Sequence, residues 1–304
     1  MLILRALNNR LFLRDLLQNR QNFFGHTASE TQDMVAQLKS TYEGWFAGKI
    51  GTTELLALEF SHRWLRPSFL PAASWRRSAR RLFVDSGVFP VERSQFDGFN
   101  RIFLEAIRQA DGLYLWQKDP FLQVFEKAVV RQYAEKARPV NGEDLCYRII
   151  HRIHDLRWLV ISPFVHTMKQ QLPKLAKIHG IQVGSSAFSN ISQSCRFLAC
   201  PQFSYLIPTP FSNWTDGLRR LTELALNETF DVALVGAGAW SLPLLANLKM
   251  AGKKGLHLGG ETQLLFGIKG RRWDGMGLYN EHWVRPSPDE TPVNFMKKEN
   301  GCYW

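Results

Sequence analysis

The chain has 304 residues, 45% of them hydrophobic and 21% charged, with a formal net charge of +11. This apolar share can bury a sizeable core, which argues against a disordered chain, and no segment offers the roughly 18 uninterrupted apolar residues of a membrane-spanning helix. A basic excess of this size draws phosphate-bearing partners, whether nucleotides, nucleic acids or anionic lipids, and so names a ligand class without naming a function.

In chain order, the opening MLILRALNNRLFLRDLLQNRQNFF is interrupted by Arg5, Arg10, Arg14 and Arg20, so it lacks the continuous apolar region of a secretion signal. The pattern predicts a basic amphipathic helix, packed on its own domain or lying on an anionic membrane surface. The run SETQDMVAQLKSTYEGWF starts with capping-box spacing from Ser29 to Gln32, and AGKIGTTE reads as a glycine turn opening a helix over TTELLALEFSHRWL. Residues 60–81 hold six arginines and no acid, broken into short pieces by prolines. Two amphipathic helices, RSQFDGFNRIFLEAIRQAD and PFLQVFEKAVVRQYAEKA, then flank a short strand GLYLW at 112–116.

From residue 157 strands and helices alternate: RWLVIS, PFVHTMKQQLPKLAKIHG, NWTDGLRRLTELAL, FDVALVG, AWSLPLLANLKMAG and GLHLGG. Strands joined through helices need right-handed crossovers, which predicts an α/β fold with a Rossmann-like, mostly parallel sheet flanked by helices and a helical N-terminal region. The expected division is a basic helical segment over 1–41 and an α/β domain over 42–304. Within the latter, 42–140 is rich in helix, 157–274 is Rossmann-like and 275–304 is a tail. Cys146, Cys195, Cys200 and Cys302 form no C-x-x-C pair and read as reduced thiols of a cytoplasmic protein.

The candidate site begins at LVGAGAWS, where Gly236 and Gly238 turn a strand into a helix and so present backbone N–H groups to an anion. Ser241 takes the third glycine position of a dinucleotide fingerprint. The next strand ends in Gly259 and Gly260, with Glu261 one residue beyond; a ribose contact from Glu261 would keep an NAD(P)- or S-adenosylmethionine-dependent enzyme open. ETQLLFGIKGRRWD delivers Lys269, Arg271 and Arg272 beside these turns as a candidate diphosphate clamp. His257 is a candidate to bond a phosphate or an acceptor hydroxyl, and Gln263 and Asn280 to read a base, ribose or sugar. His166 sits at another strand-to-helix junction, and Trp273, Trp283, Tyr303 and Trp304 either stack on a ligand ring or pin the tail to the core. Asp274, Glu281, Asp289 and Glu290 are the remaining acids near the C-terminus.

The run FDVALVGAGAWSLPLLANLKMAGKKGLHLGGETQLLFGIKGRRWD, followed by YNEHWVRPSPDETP and GCYW, resembles the C-terminal half of bacterial proteins with a GT-D-type glycosyltransferase-like domain. KIGTTELLAL and LVISPFVHTMKQQ extend the resemblance upstream, so that it covers most of residues 42–304. It implies a nucleotide-sugar glycosyltransferase of hexosyltransferase type, in bacterial surface polysaccharide or glycoconjugate synthesis, with a UDP-sugar as the expected donor and a sugar, lipid-linked or protein acceptor. Relatives carry R-F-G-D-G-E where this chain has Lys49-Ile50-Gly51-Thr52-Thr53-Glu54, so Gly51 and Thr52 are expected at the donor and Glu54 as a catalytic group or a ligand of Mn²⁺ or Mg²⁺. Metal-assisted transfer and transfer through the cations Lys49, Arg271 and Arg272 both stay open, as does a non-catalytic nucleotide-binding module. Trp240-Ser241 replaces the Tyr-Gly of relatives and predicts a bulkier turn.

Overall fold

A computed structural model describes residues 36–61, 74–117, 119–134, 138–139, 150–180, 191, 194–201 and 205–304. The N-terminal basic helix, the Ser29–Gln32 cap, Cys146 and the first half of the arginine-rich zone lie outside them. Seven strands form one parallel sheet: β1 (Trp45–Gly48), β2 (Gly112–Leu113), β3 (Arg138–Pro139), β4 (Trp158–Ser162), β5 (Arg196–Ala199), β6 (Val232–Val235) and β7 (Lys254–His257). Their order across the sheet is β3-β2-β1-β7-β6-β4-β5. The α/β, Rossmann-like expectation is met, and residues 42–140 contribute three strands to the same sheet as the rest.

The connecting helices are α1 (Thr52–Ser61), α2 (Trp75–Arg81), α3 (Arg93–Gln109), α4 (Pro120–Tyr133), α5 (Val165–Gln171), α6 (Trp214–Leu226) and α7 (Ser241–Met250), followed by a short α8 (Thr262–Leu265). A π-helical turn, Leu82–Ser86, continues α2. Strand side chains alternate between two cores, as a two-residue period requires. Phe46, Leu159, Ile161, Ala233 and Val235 pack with α1, α3, α6 and α7 on one face. Trp45, Trp158, Val160, Val232, Leu234 and Leu256 pack with α5, α8 and the C-terminal segment on the other. Neighbouring strands therefore send their chains to opposite faces at β1/β7, β7/β6 and β6/β4, which opens a crevice at their carboxyl ends.

Four expectations change. The helical run SETQDMVAQLKSTYEGWF ends at Ser40, and its last residues, Trp45 and Phe46, begin β1. The single helix over 163–180 is broken, because Pro173 supplies no N–H; α5 gives way to a 3₁₀ turn at Leu172–Lys174 and a separate helical turn at Leu175–Ile178. The strand at 112–116 pairs only through Gly112 and Leu113, after which the chain turns toward the crevice. The bulk of Trp240 does not thicken the glycine turn: its fully buried ring points into the core, donates from Nε1 to the Trp214 carbonyl at 2.9 Å and packs edge-on against Phe89. An added Cβ at Gly217 would stand 2.7 Å from that ring, so a glycine on α6 makes the room.

Candidate functional site

The crevice holds a cavity of 340 Å³ walled by Lys49 and Gly51 to Glu54 at the end of β1, Ser162 to Phe164 at the end of β4, Gly236 and Gly238 after β6, and His257 and Gly259 to Gln263 at the end of β7. Arg81, Asp85, Ser86, Trp116, Arg272, Glu299 and Tyr303 complete it. Its volume falls in the range of small-molecule sites.

The glycines are required by closeness. A Cβ at Gly236 would lie 2.6 Å from both the Gly259 carbonyl and Thr262 Oγ1, so only glycine lets the β6 and β7 turns touch. Gly238 and Gly259 adopt φ of 55° and 62°, the left-handed region that glycine tolerates. Ser241 Oγ accepts from the Ala237 N–H at 3.0 Å, a role the fingerprint's glycine does not have. The N-termini of α1 and, through the 3₁₀ turn Gly238–Trp240, of α7 face the cavity, and the first amides of a helix have no acceptor within it.

Of the three cations in the wall, Lys49, Arg81 and Arg272, the first and last lie against the glycine turn after β7. Lys49 is buried, its ammonium paired with Glu261 Oε2 and held 4.8 Å from the Trp116 ring centroid. Trp116 is fixed in turn by its indole N–H, which donates to the Ile50 carbonyl at 2.5 Å. Arg272 donates to Glu299 Oε2 at 3.0 Å and stacks 4.4 Å from the Tyr303 centroid. Burial opposes the Arg272 charge, but Tyr303, Cys302 and Glu299 outweigh it and hold its pKa above the ordinary value. The three-residue clamp expected from sequence is therefore redistributed. Lys269 lies over Tyr279 and Arg271 reaches Met296 Sδ, and neither lines the cavity.

The acids gather on the side of α1 and the π turn. Glu54 is buried so closely beneath Gly51 that an added Cβ there would sit 2.0 Å from its Oε2. Burial pushes its pKa up, against the lowering by its own N–H, by Ser86 and by Lys298. Burial and Glu299 likewise raise Asp85. Lys298 is fully buried, donates to the carbonyls of Val84 and Asp85 at 3.2 and 2.5 Å, and is lowered in pKa by that burial. Thr52 donates to Gln117 Oε1 at 3.0 Å; the Gln117 N–H in turn donates to the buried Glu126. Among the described residues no group of three or more His, Cys, Asp or Glu is placed to hold a metal ion. Glu54 is already engaged by Ser86, an amide and an ammonium, so the side chains present do not fit a divalent cation.

His257 closes β7 with its ring buried, and Nδ1 lies 3.2 Å from both the Val235 carbonyl and the Gly259 N–H, of which one tautomer serves one. Burial, then Lys49, lowers its pKa to about 3, so it meets the cavity as a neutral ring. Gln263 is a brace: Nε2 donates to the carbonyls of Ile268, Lys269 and Tyr303, leaving the buried Oε1 without a partner in the wall. Asn280 ties the Lys177 and Ile178 carbonyls away from the cavity.

His166 pairs with Asp289, and Glu290 caps α5 by accepting from the His166 and Thr167 amides. Asp274 pairs with Arg285, and Glu281 lies beside His282. Trp273, Trp283 and Trp304 are buried in the core, whereas Tyr303 lines the cavity. Cys195, Cys200 and Cys302 are free thiols that burial pushes up in pKa, away from reactivity. Sequence reasoning missed Arg81, Asp85, Ser86, Trp116, Glu299 and Lys298. Only the arginine-rich zone carried a readable signal, since MKKEN resembles any charged surface. No helix among the described residues is long and apolar enough to cross a membrane. No family model, curated protein or solved structure matches the chain.

Proposed function

We propose that the chain binds a nucleoside diphosphate sugar across the carboxyl ends of β1, β6 and β7 and transfers the sugar to an acceptor hydroxyl. The observation that carries this reading is the meeting, at one cavity, of Lys49 and Arg272 with the glycine turns after β6 and β7 and the N-termini of α1 and α7. Breaking the bond from the sugar to the diphosphate places negative charge on the leaving group, and fixed cations and amides stabilise that charge without reorganising. Lys49 exchanges its Glu261 partner for phosphate oxygen, which keeps the ammonium paired throughout. Glu54 and Asp85 line the same cavity with pKa values raised by burial, and a carboxylate of raised pKa suits removal of the hydroxyl proton. The reading is that of a hexosyltransferase-type enzyme of bacterial surface polysaccharide or glycoconjugate synthesis using a UDP-sugar.

The test is a thermal-shift panel of UDP, GDP, CMP and their sugar conjugates, NAD(P)H and S-adenosylmethionine, each with Mn²⁺ and with a chelator. One nucleoside diphosphate family should stabilise the chain, equally with and without the chelator, and should lose its effect in Arg272→Ala. Stabilisation by NAD(P)H or S-adenosylmethionine alone sinks the reading and assigns Glu261 to a ribose. Binding without sugar release from the cognate conjugate reduces it to a nucleotide-binding module.

A further inference from the structure

We infer that α2, with Tyr205 against its π turn and the exposed Ile207 two residues further along the chain, docks the protein on an anionic lipid bilayer. The sequence of α2 is WRRSARR, with Ser78 and Ala79 buried and Arg76, Arg77, Arg80 and Arg81 exposed. Arg76 and Arg80, like Arg77 and Arg81, stand one turn apart, so each pair of like charges opposes the helix. No acid sits in its first turn. Among the described residues the one carboxylate paired with these arginines is Asp85, 3.4 Å from Arg81.

Two other helices among the described residues are built otherwise. In α6, Arg219 and Arg220 alternate with Asp216 and Glu223 in three ion pairs. In α3, Arg93 meets Asp97 and Arg108 meets Glu105. The single-sign stripe on α2 differs from both, and an external polyanion removes its repulsion.

Apolar groups beside the stripe favour a bilayer over a nucleic acid. Trp75 lies under the guanidinium of Arg76 at 5.5 Å, and Phe83 in the adjoining π turn meets the Tyr205 ring edge-on at 5.6 Å. Tyr205 is 38% and Ile207 46% exposed. Arginines next to exposed aromatic and aliphatic side chains match the interfacial zone, where charge stays with headgroups and apolar atoms enter the acyl boundary. A phosphate backbone offers Ile207 no such exchange. Because Arg81 also lines the cavity, docking sets the cavity mouth at the lipid surface; only the corollary that a lipid-linked acceptor is served there rests on the transferase reading.

The test is flotation of the full chain with vesicles of phosphatidylcholine alone or mixed with phosphatidylglycerol, at low and high salt. The chain should float only with phosphatidylglycerol and detach in salt. Arg76→Gln/Arg77→Gln/Arg80→Gln should bind roughly a hundredfold more weakly, from about 1 kcal/mol per basic residue. Ile207→Ser should weaken binding with the arginines intact. Unchanged flotation of the triple variant overturns the proposal, as does a wild-type chain that binds heparin but no vesicle. Melting temperature and its nucleotide-dependent shift, read on the same variants, report on the fold and the donor site separately.

Discussion

Arg272 is the residue on which the donor reading is most exposed to test, because it lines the cavity while already holding Glu299 and Tyr303. Hydrogen bonds to charged groups are worth about 1.5–3 kcal/mol, so Arg272→Ala should weaken nucleoside diphosphate binding roughly 10- to 150-fold by calorimetry. Two other buried groups set opposite pH dependences. Burial raises Glu126 to about 7, against the donating amides of Gln117 and Trp116. A raised carboxyl contributes stability that is present below its unfolded value and is lost as pH rises toward 7. Glu126→Gln should therefore raise the melting temperature relative to wild type more at pH 8 than at pH 5. His257, at about 3, works the other way: its neutral ring is favourable above the unfolded value of 6.5, and the advantage is lost as pH falls toward 3. His257→Gln should flatten that acid limb in melts between pH 6.5 and 3.5.

At the scale of elements, the glycine turns and Trp240 carry the sharpest expectations. Gly236→Ala forces apart two turns that touch, and overpacking of this kind costs about 1–3 kcal/mol in denaturant melts, with loss of nucleotide binding. Trp240→Ala should cost about 3–5 kcal/mol, the toll of a large core cavity, although it sits in the middle of a glycine motif. The sequence made β4, β6, β7, α6 and α7 legible because their apolar periodicity is clean. It hid β1, since WFAG runs on from the helical pattern of SETQDMVAQLKSTYEGWF and lies directly before the turn that opens α1. The two-residue β2 and β3 carry too little pattern to read in full, and β5 is an edge strand with both ends exposed. The site divides along the same line. Turns announce themselves through glycine, and Gly236, Gly238, Gly259 and Gly260 all line the cavity. Which member of a basic run reaches it depends on packing 30 residues away, as with Arg272 and Cys302, and local spacing holds no record of that.

At the scale of the molecule, the sheet brings both halves of the chain to one cavity: cations from β1 and the C-terminal segment, amides from β6 and β7, and acids from α1 and the π turn. Opposed charges across one small opening also make ligand capture sensitive to screening. Nucleotide affinity should fall between low and physiological salt, more so in a chain that keeps Lys49 and Arg272 than in Arg272→Ala, as titrations at several ionic strengths would register.

The pairing of Trp45 with Lys254 places the middle of the sheet under a schedule. About 200 residues of chain separate these partners, and ribosomes add roughly 5–20 residues per second. For about 10–40 s of each round of synthesis, β1 has one flank with no neighbour to pair with. During that interval the nascent chain carries an open strand edge and a half-covered apolar face. Yield from overexpression should then depend on chaperone supply and culture temperature more than on the stability of the finished protein.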